Sequence, residues 1–156
     1  MTRALVIGCG NTLRGDDALG PRIAELLAEQ EPQVAVEIVA QLLPELAELV
    51  ARSGLVVFVD ARVDRAEQGV LCERLAPADR TQPWVGHLSD PRALLALSSE
   101  LYGARPTAFL VSAPGCDFEL GERLSKAAAH WVPVAAAAIA ELLTRARELG
   151  SEGQLS

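Results

Sequence analysis

Leu55-Val56-Val57-Phe58-Val59-Asp60 is a run of five apolar residues closed by a carboxylate. An unbroken apolar run of strand length lacks the in–out alternation of a half-solvated strand, so it reads as a parallel strand buried on both faces. Working outward, such runs alternate with amphipathic stretches. Residues 4–8 read as a first strand, and residues 18–29 as a helix with Ile23, Leu26 and Leu27 on one face. Residues 34–39 alternate enough to form a second strand near an edge. Pro44 suits the first turn of a helix reaching about residue 51. Beyond a more polar stretch, Gly69 precedes a short strand at 70–75, and residues 76–90 read as a loop. Asp90 can cap a helix that has Pro91 at its first position and runs to about residue 101. Residues 107–113 are the last strand. Ser125 can cap a C-terminal helix continuing to about residue 149, with a kink expected at Pro133.

Strand–helix alternation of this kind implies an α/β fold. The expectation is a three-layer α/β/α sandwich around a mostly parallel, twisted five-stranded sheet. Its order is 2-1-3 followed by the later strands, with room for residues 70–75 as an antiparallel edge strand. Residues 1–150 form one domain and residues 151–156 a flexible tail.

Bulk composition narrows the function. Half of the 156 residues are hydrophobic but only 4% are aromatic, so the core is aliphatic. A net charge of −7 argues against nucleic acid and anionic membrane partners, which call for basic patches. The longest apolar stretch, residues 132–143, is short and interrupted by Pro133, so no membrane span is expected. Only Thr2-Arg3 precede the first strand, which leaves no room for a signal peptide. The three cysteines (Cys9, Cys72 and Cys116) are scattered and odd in number, which fits reduced thiols in a cytoplasmic protein. A monomer is the default.

The chemistry concentrates after the first strand, in Gly8-Cys9-Gly10-Asn11-Thr12-Leu13-Arg14-Gly15-Asp16-Asp17. Gly10 and Gly15 have the spacing of the two P-loop glycines, but Asp16-Asp17 replaces Lys-Ser/Thr, and two carboxylates repel a phosphate. Leu13 in place of a third glycine likewise removes the dinucleotide reading. The loop suits a cation or acid–base work. In an open sheet of order 2-1-3, the crevice lies between the carboxyl ends of strands one and three, where Asp60 would join the loop acids. Blander roles are available: Asp17 as a helix N-cap, Asp16 as a solvated turn residue, Asp60 as a strand-ending turn residue.

His87 lies in a loop just before a helix, either as an ordinary loop residue or as a ligand. Two carboxylates with one imidazole make a donor set suited to nickel or zinc. His130, mid-helix beside Trp131, reads as a packing or surface residue. Cys9 has no histidine near in sequence to activate it as a nucleophile. Glu45 could line the crevice or complement a helix dipole. Gly-x-Ser-x-Gly and His-Glu-x-x-His are absent.

The opening through Leu19-Gly20-Pro21-Arg22, together with Phe58-Val59-Asp60-Ala61 and His87, closely resembles the hydrogenase maturation proteases. These are endopeptidases that process the large subunit of nickel–iron hydrogenases. The similarity extends over nearly the whole chain, and Gln41-Leu42-Leu43-Pro44-Glu45-Leu46 looks like one subgroup. The resemblance implies a twisted sheet between helices, and Asp17, Asp60 and His87 as ligands to nickel or a substitute metal. It also implies the substrate, a nickel-loaded large-subunit precursor that loses its C-terminal extension. Nickel is then presented by that partner rather than resident as a cofactor.

Two departures stand out: Val39-Ala40-Gln41-Leu42 where many members carry an Asp-Gly-Gly-like turn, and Ala113-Pro114-Gly115-Cys116 where a Gly-rich turn is usual. For the catalytic step, Asp16, Asp17 and Asp60 are the candidate acids. Asp16 is a candidate to position a water, and the amides of residues 11–15 to stabilise an oxyanion. Two rival readings use the same ligands: a non-catalytic nickel-dependent checkpoint or chaperone for the precursor, and a small-molecule metallohydrolase.

Overall fold

A computed structural model of the chain describes residues 3–63, 69–79 and 90–155. β1 (Ala4–Cys9) leads through a one-turn 3-10 helix (Gly15–Ala18) into α1 (Leu19–Gln30), followed by β2 (Ala35–Val39), α2 (Leu46–Ala51) and β3 (Leu55–Arg62). β4 (Leu71–Leu75), α3 (Pro91–Tyr102), β5 (Thr107–Pro114) and α4 (Lys126–Leu155) complete the chain. The five strands form one sheet in the order β2-β1-β3-β5-β4. All neighbours are parallel except β4, which runs antiparallel to β5 at the edge, as anticipated for residues 70–75.

The two helical layers explain why β3 is apolar at every position from Leu55 to Val59. Leu55, Val57 and Val59 face one core with Val6, Ile23, Leu27 and Ile139, under α1 and α4. Val56 and Phe58 face the other with Leu5, Ile7, Val50 and Leu94, under α2 and α3. A strand with period-2 side chains and a helix on each face must be hydrophobic throughout. β2, at the open edge, has Ala35, Glu37 and Ile38 exposed, which is why its sequence alternates.

Two glycines let α1 sit hard against the sheet. A Cβ on Gly20 would strike the carbonyl oxygens of Cys9 and of Val59, the latter at 2.5 Å. One on Gly8 would lie 2.6 Å from the Ala24 Cβ. The start of α1 is thereby pressed onto the carboxyl ends of β1 and β3, and the 3-10 turn carrying Asp16 and Asp17 comes with it.

Helix ends follow local chemistry. The Asp90 carboxylate accepts a bond from the Arg92 amide at 2.9 Å with Pro91 at the first turn, and Gly103 closes α3 at φ 67°. Some bounds differ from the expectation. α2 begins at Leu46, after Pro44, because a turn closed by Leu46 and Ala47 amides on Leu43 and Pro44 carbonyls comes first. α4 runs without interruption past Pro133 and on to Leu155. Its residues Lys126–Leu149 are long and apolar enough to reach across a bilayer. Ala128, Ala135, Ala136, Ile139 and Leu143 form a buried stripe at helical spacing, the pattern of a helix laid on a core.

Candidate functional site

The ladder between β1 and β3 ends at the pair Gly8 and Val59. One residue further on each strand stand Cys9 and Asp60. Cys9 continues the parity of Leu5 and Ile7, and Asp60 that of Val56 and Phe58, so both project towards the α2/α3 layer. The order β2-β1-β3 makes this the switch point of the sheet, where the chain leaves β1 in one direction and β3 in the other.

Asp17 joins them from the 3-10 turn. Its Oδ2 accepts the Asn11 amide at 2.7 Å, bending the loop back on itself. The helix N-cap role is thereby excluded: the cap position of α1 is Ala18, with no side-chain bond. Asp60 Oδ1 accepts the amide of its neighbour Ala61 at 2.8 Å. Among the described residues neither carboxylate has a cationic partner.

The fields of these groups act on one another. Burial pushes the Asp60 carboxyl up to about 6, against the lowering effect of the Ala61 bond and with the Asp17 charge raising it further. Burial, then Asp60, then Asp17 push the Cys9 thiol up to about 12. Cys9 is therefore a protonated packing residue, 5% exposed, and not a nucleophile. Two acids held together without a cation are a site that gains by binding one.

Asp16 has a different role from its neighbour. It is completely buried. Its Oδ2 accepts the amides of Cys116 at 2.7 Å and Asp117 at 2.9 Å and the Ser125 hydroxyl at 2.7 Å, while Oδ1 accepts the Ser125 amide at 2.7 Å. Burial alone would raise this carboxyl, but the bonds from Cys116, Ser125 and Asp117 outweigh it and hold it below the ordinary carboxylate value. The expectation that Asp16 positions a water is corrected by this geometry, because both oxygens are sealed and already satisfied.

Backbone bonds extend the same junction. Arg14 and Gly121 form a parallel bridge through Gly15 N to Gly121 O at 2.9 Å and Gly121 N to Leu13 O at 2.9 Å, and Asp16 N donates to Asp117 O at 2.7 Å. Gly15 adopts φ 55°, and a Cβ there would strike the Asp117 carbonyl. Ser125 also caps α4, its hydroxyl accepting the Ala128 amide at 3.1 Å. This junction was invisible in the sequence, since it joins residues separated by 100 or more positions.

The loop amides are mostly committed too. Those of Asn11, Leu13, Arg14 and Gly15 donate to Asp17, to the Asn11 side chain, to the Asn11 carbonyl and to Gly121. Among the described residues only the Thr12 amide of this set is left over, so the loop is not the open oxyanion cradle anticipated for residues 11–15.

His87, the third ligand expected, lies outside the described residues. Ala78 N donates to Arg92 O at 2.9 Å. Among the described residues no group of three or more His, Cys, Asp or Glu side chains could hold a metal ion. Asp17 and Asp60 by themselves make a two-carboxylate mouth that needs further ligands. Glu45 is exposed at the start of α2 and makes no capping bond. His130 is exposed and packs edge-on to Trp131 at 4.9 Å, a surface role.

No protein-family model and no curated protein matches the chain. Solved structures do. The hydrogenase maturating endopeptidase HybD from E. coli matches with a TM-score of 0.74 at 23% identity, over 92% of this chain and 93% of that one. The [NiFe] hydrogenase maturation protease HycI from Thermococcus kodakarensis matches with a TM-score of 0.65 at 27% identity, over 92% and 93%. A solution structure of an endopeptidase from Escherichia coli matches with a TM-score of 0.68 at 24% identity, again over 92% and 93%. The likeness runs over nearly the full length of both chains: this chain has the fold of the solved hydrogenase maturation endopeptidases.

Proposed function

We propose that the chain is an endopeptidase that removes the C-terminal extension from a nickel-loaded large-subunit precursor of a nickel–iron hydrogenase. The observation that carries this reading is the meeting of Asp17 and Asp60, distant in sequence, at one mouth of the sheet. Asp17, Asp60 and His87 then read the nickel carried by the precursor. Three protein ligands leave positions open for the thiolates that already hold the metal, so nickel acts as part of the substrate.

In the metal-free mouth burial brings Asp60 to about 6, so the nickel of the precursor binds its carboxylate in competition with a proton. Asp16 supports the site from below as a structural acid. The three free cysteines fit a cytoplasmic setting.

The experiment is incubation of the purified chain with nickel-loaded and nickel-free precursor, followed by intact-mass measurement. Loss of the extension only from the nickel-loaded form is expected. Binding with unchanged mass refutes the peptidase reading and favours the checkpoint. One observation favours that second reading: Asp16 and most amides of the first loop are committed internally, leaving few groups for hydrolysis.

A further inference from the structure

The sealed Asp16 carboxylate is the best-defined polar feature of the molecule, and the cation mouth does not use it. It reaches 100 residues along the chain to gather the Cys116, Asp117 and Ser125 donors around one acid. Gly115 is part of the same fit, since a Cβ there would lie 3.0 Å from the Asp16 Cβ and 2.6 Å from the Phe118 ring. The segment so held, residues 116–123, has no regular secondary structure of its own and little burial. Without the acid, among the described residues a few backbone bonds to residues 13–16 and the bond from the Arg22 guanidinium to the Glu122 carbonyl at 3.4 Å would remain to hold it.

That segment faces outwards beside the cation mouth. Leu120 is 77% exposed, and Leu13, whose carbonyl accepts the Gly121 amide, is 54% exposed. Beside Leu120 and Gly15 lies an open groove of about 470 Å³, also lined by Asp117, Glu119, Glu122 and Arg123. Two large apolar side chains held out on neighbouring loops are a protein-docking feature. Three acids against the single Arg123 leave the groove acidic, and with the net charge of −7 this fits an apolar partner face with basic residues around it.

We propose that Asp16 is a positioning residue that fastens residues 116–123 to the cation-reading loop, so that Leu120 and Leu13 together dock the precursor protein. The proposal rests on the precursor reading above and adds to it the surface that recognises the protein around the metal. Asp17 and Leu120 are thereby coupled through one carboxylate: the residue next to Asp17 in sequence decides where Leu120 stands.

The tie is tested without any precursor. Hydrogen exchange at the Cys116, Asp117 and Ser125 amides should accelerate about tenfold or more in Asp16→Asn, which turns one acceptor oxygen into a donor facing donors. Ser125→Ala, which keeps the acid and removes one donor, should give a smaller acceleration of about threefold and serves if Asp16→Asn fails to fold. Unchanged exchange in Ser125→Ala and in any folded Asp16→Asn overturns the tie.

Docking is tested by the Kd of nickel-loaded precursor for wild type, for Leu120→Asp, for the tie variant (Asp16→Asn, or Ser125→Ala in its place), and for the double variant. Leu120→Asp and Asp16→Asn should each weaken binding about tenfold. The double variant should be no weaker than the weaker single, because a released segment no longer presents Leu120. Multiplicative losses, or normal binding by Leu120→Asp, overturn the docking role, as does failure of the wild type to bind precursor. Wild type that binds with this coupling but leaves the precursor uncut refutes the peptidase reading alone.

Discussion

Asp60→Asn should make the metal-free protein more stable while disabling it. The Asp60 carboxyl is raised from an ordinary 3.8 to about 6 by burial and by the charge of Asp17, against one bond from the Ala61 amide. A group whose folded pKa exceeds its unfolded value binds more protons when folded across the interval between them. Stability therefore falls as pH rises from about 4 to about 6, and the penalty is complete above that. At about 1.4 kcal/mol per pKa unit, the cost of the ionised carboxylate is on the order of 3 kcal/mol.

Asparagine keeps an oxygen for the Ala61 amide and carries no charge, so it relieves this cost at neutral pH and not in acid. The assay is urea unfolding of wild type and Asp60→Asn, with chelator present, at pH 4 and pH 7.5. The variant should gain about 2–3 kcal/mol at pH 7.5 and almost nothing at pH 4. Equal differences at the two pH values, or a less stable variant at pH 7.5, would refute the argument that the mouth stores carboxylate repulsion. The same variant should fail to process nickel-loaded precursor.

The other acid should behave oppositely: Asp16→Ala should cost about 3–4 kcal/mol in urea unfolding, because four charge-assisted bonds are lost and their donors must find water. Since the Asp16 pKa is depressed, its contribution is present above the ordinary carboxylate range and is lost as pH falls through its folded value. A loss below about 1 kcal/mol at neutral pH contradicts the tie. His87→Ala should abolish precursor processing with the unfolding midpoint unchanged, and normal processing would remove His87 from the site. In the folded protein at pH 8 a thiol reagent should titrate Cys72 and Cys116 but not Cys9, whose thiol is buried and raised to about 12; three rapidly reacting thiols would contradict that burial. Gly20→Ala should destabilise by about 1–3 kcal/mol, since its Cβ would push α1 off the carbonyls of Cys9 and Val59, and calorimetry showing no change would mean α1 sits looser than described.

The acids after β1 divide labour within two residues. Asp17 turns towards Asn11 and the mouth, where its charge adds to that of Asp60. Asp16 turns inwards and spends its charge on backbone donors. Adjacent residues in a 3-10 turn point about 120° apart, so one can line a cleft while the other closes the floor beneath it. Stability at Asp16 supports a strained pairing at Asp60, a common arrangement where a site must hold groups that repel.

The order and type of the elements were legible in sequence because they rest on local periodicity. The apolar run at residues 55–59 read as a strand covered on both faces, and the alternation around it called for a parallel sheet. The switch point of such a sheet then puts Asp17 and Asp60 at one mouth by topology alone. Short-range capping chemistry at Asp90, Pro91 and Ser125 was equally readable. The separate fates of Asp16 and Asp17 were decided only by tertiary structure. Each is an acid in the same turn, and nothing nearby in sequence marks the donors at Cys116, Asp117 and Ser125 as partners of the first. Hydrogen bonds formed across 100 residues depend on how β5 and α4 meet the β1 loop, and packing against the sheet sets that meeting.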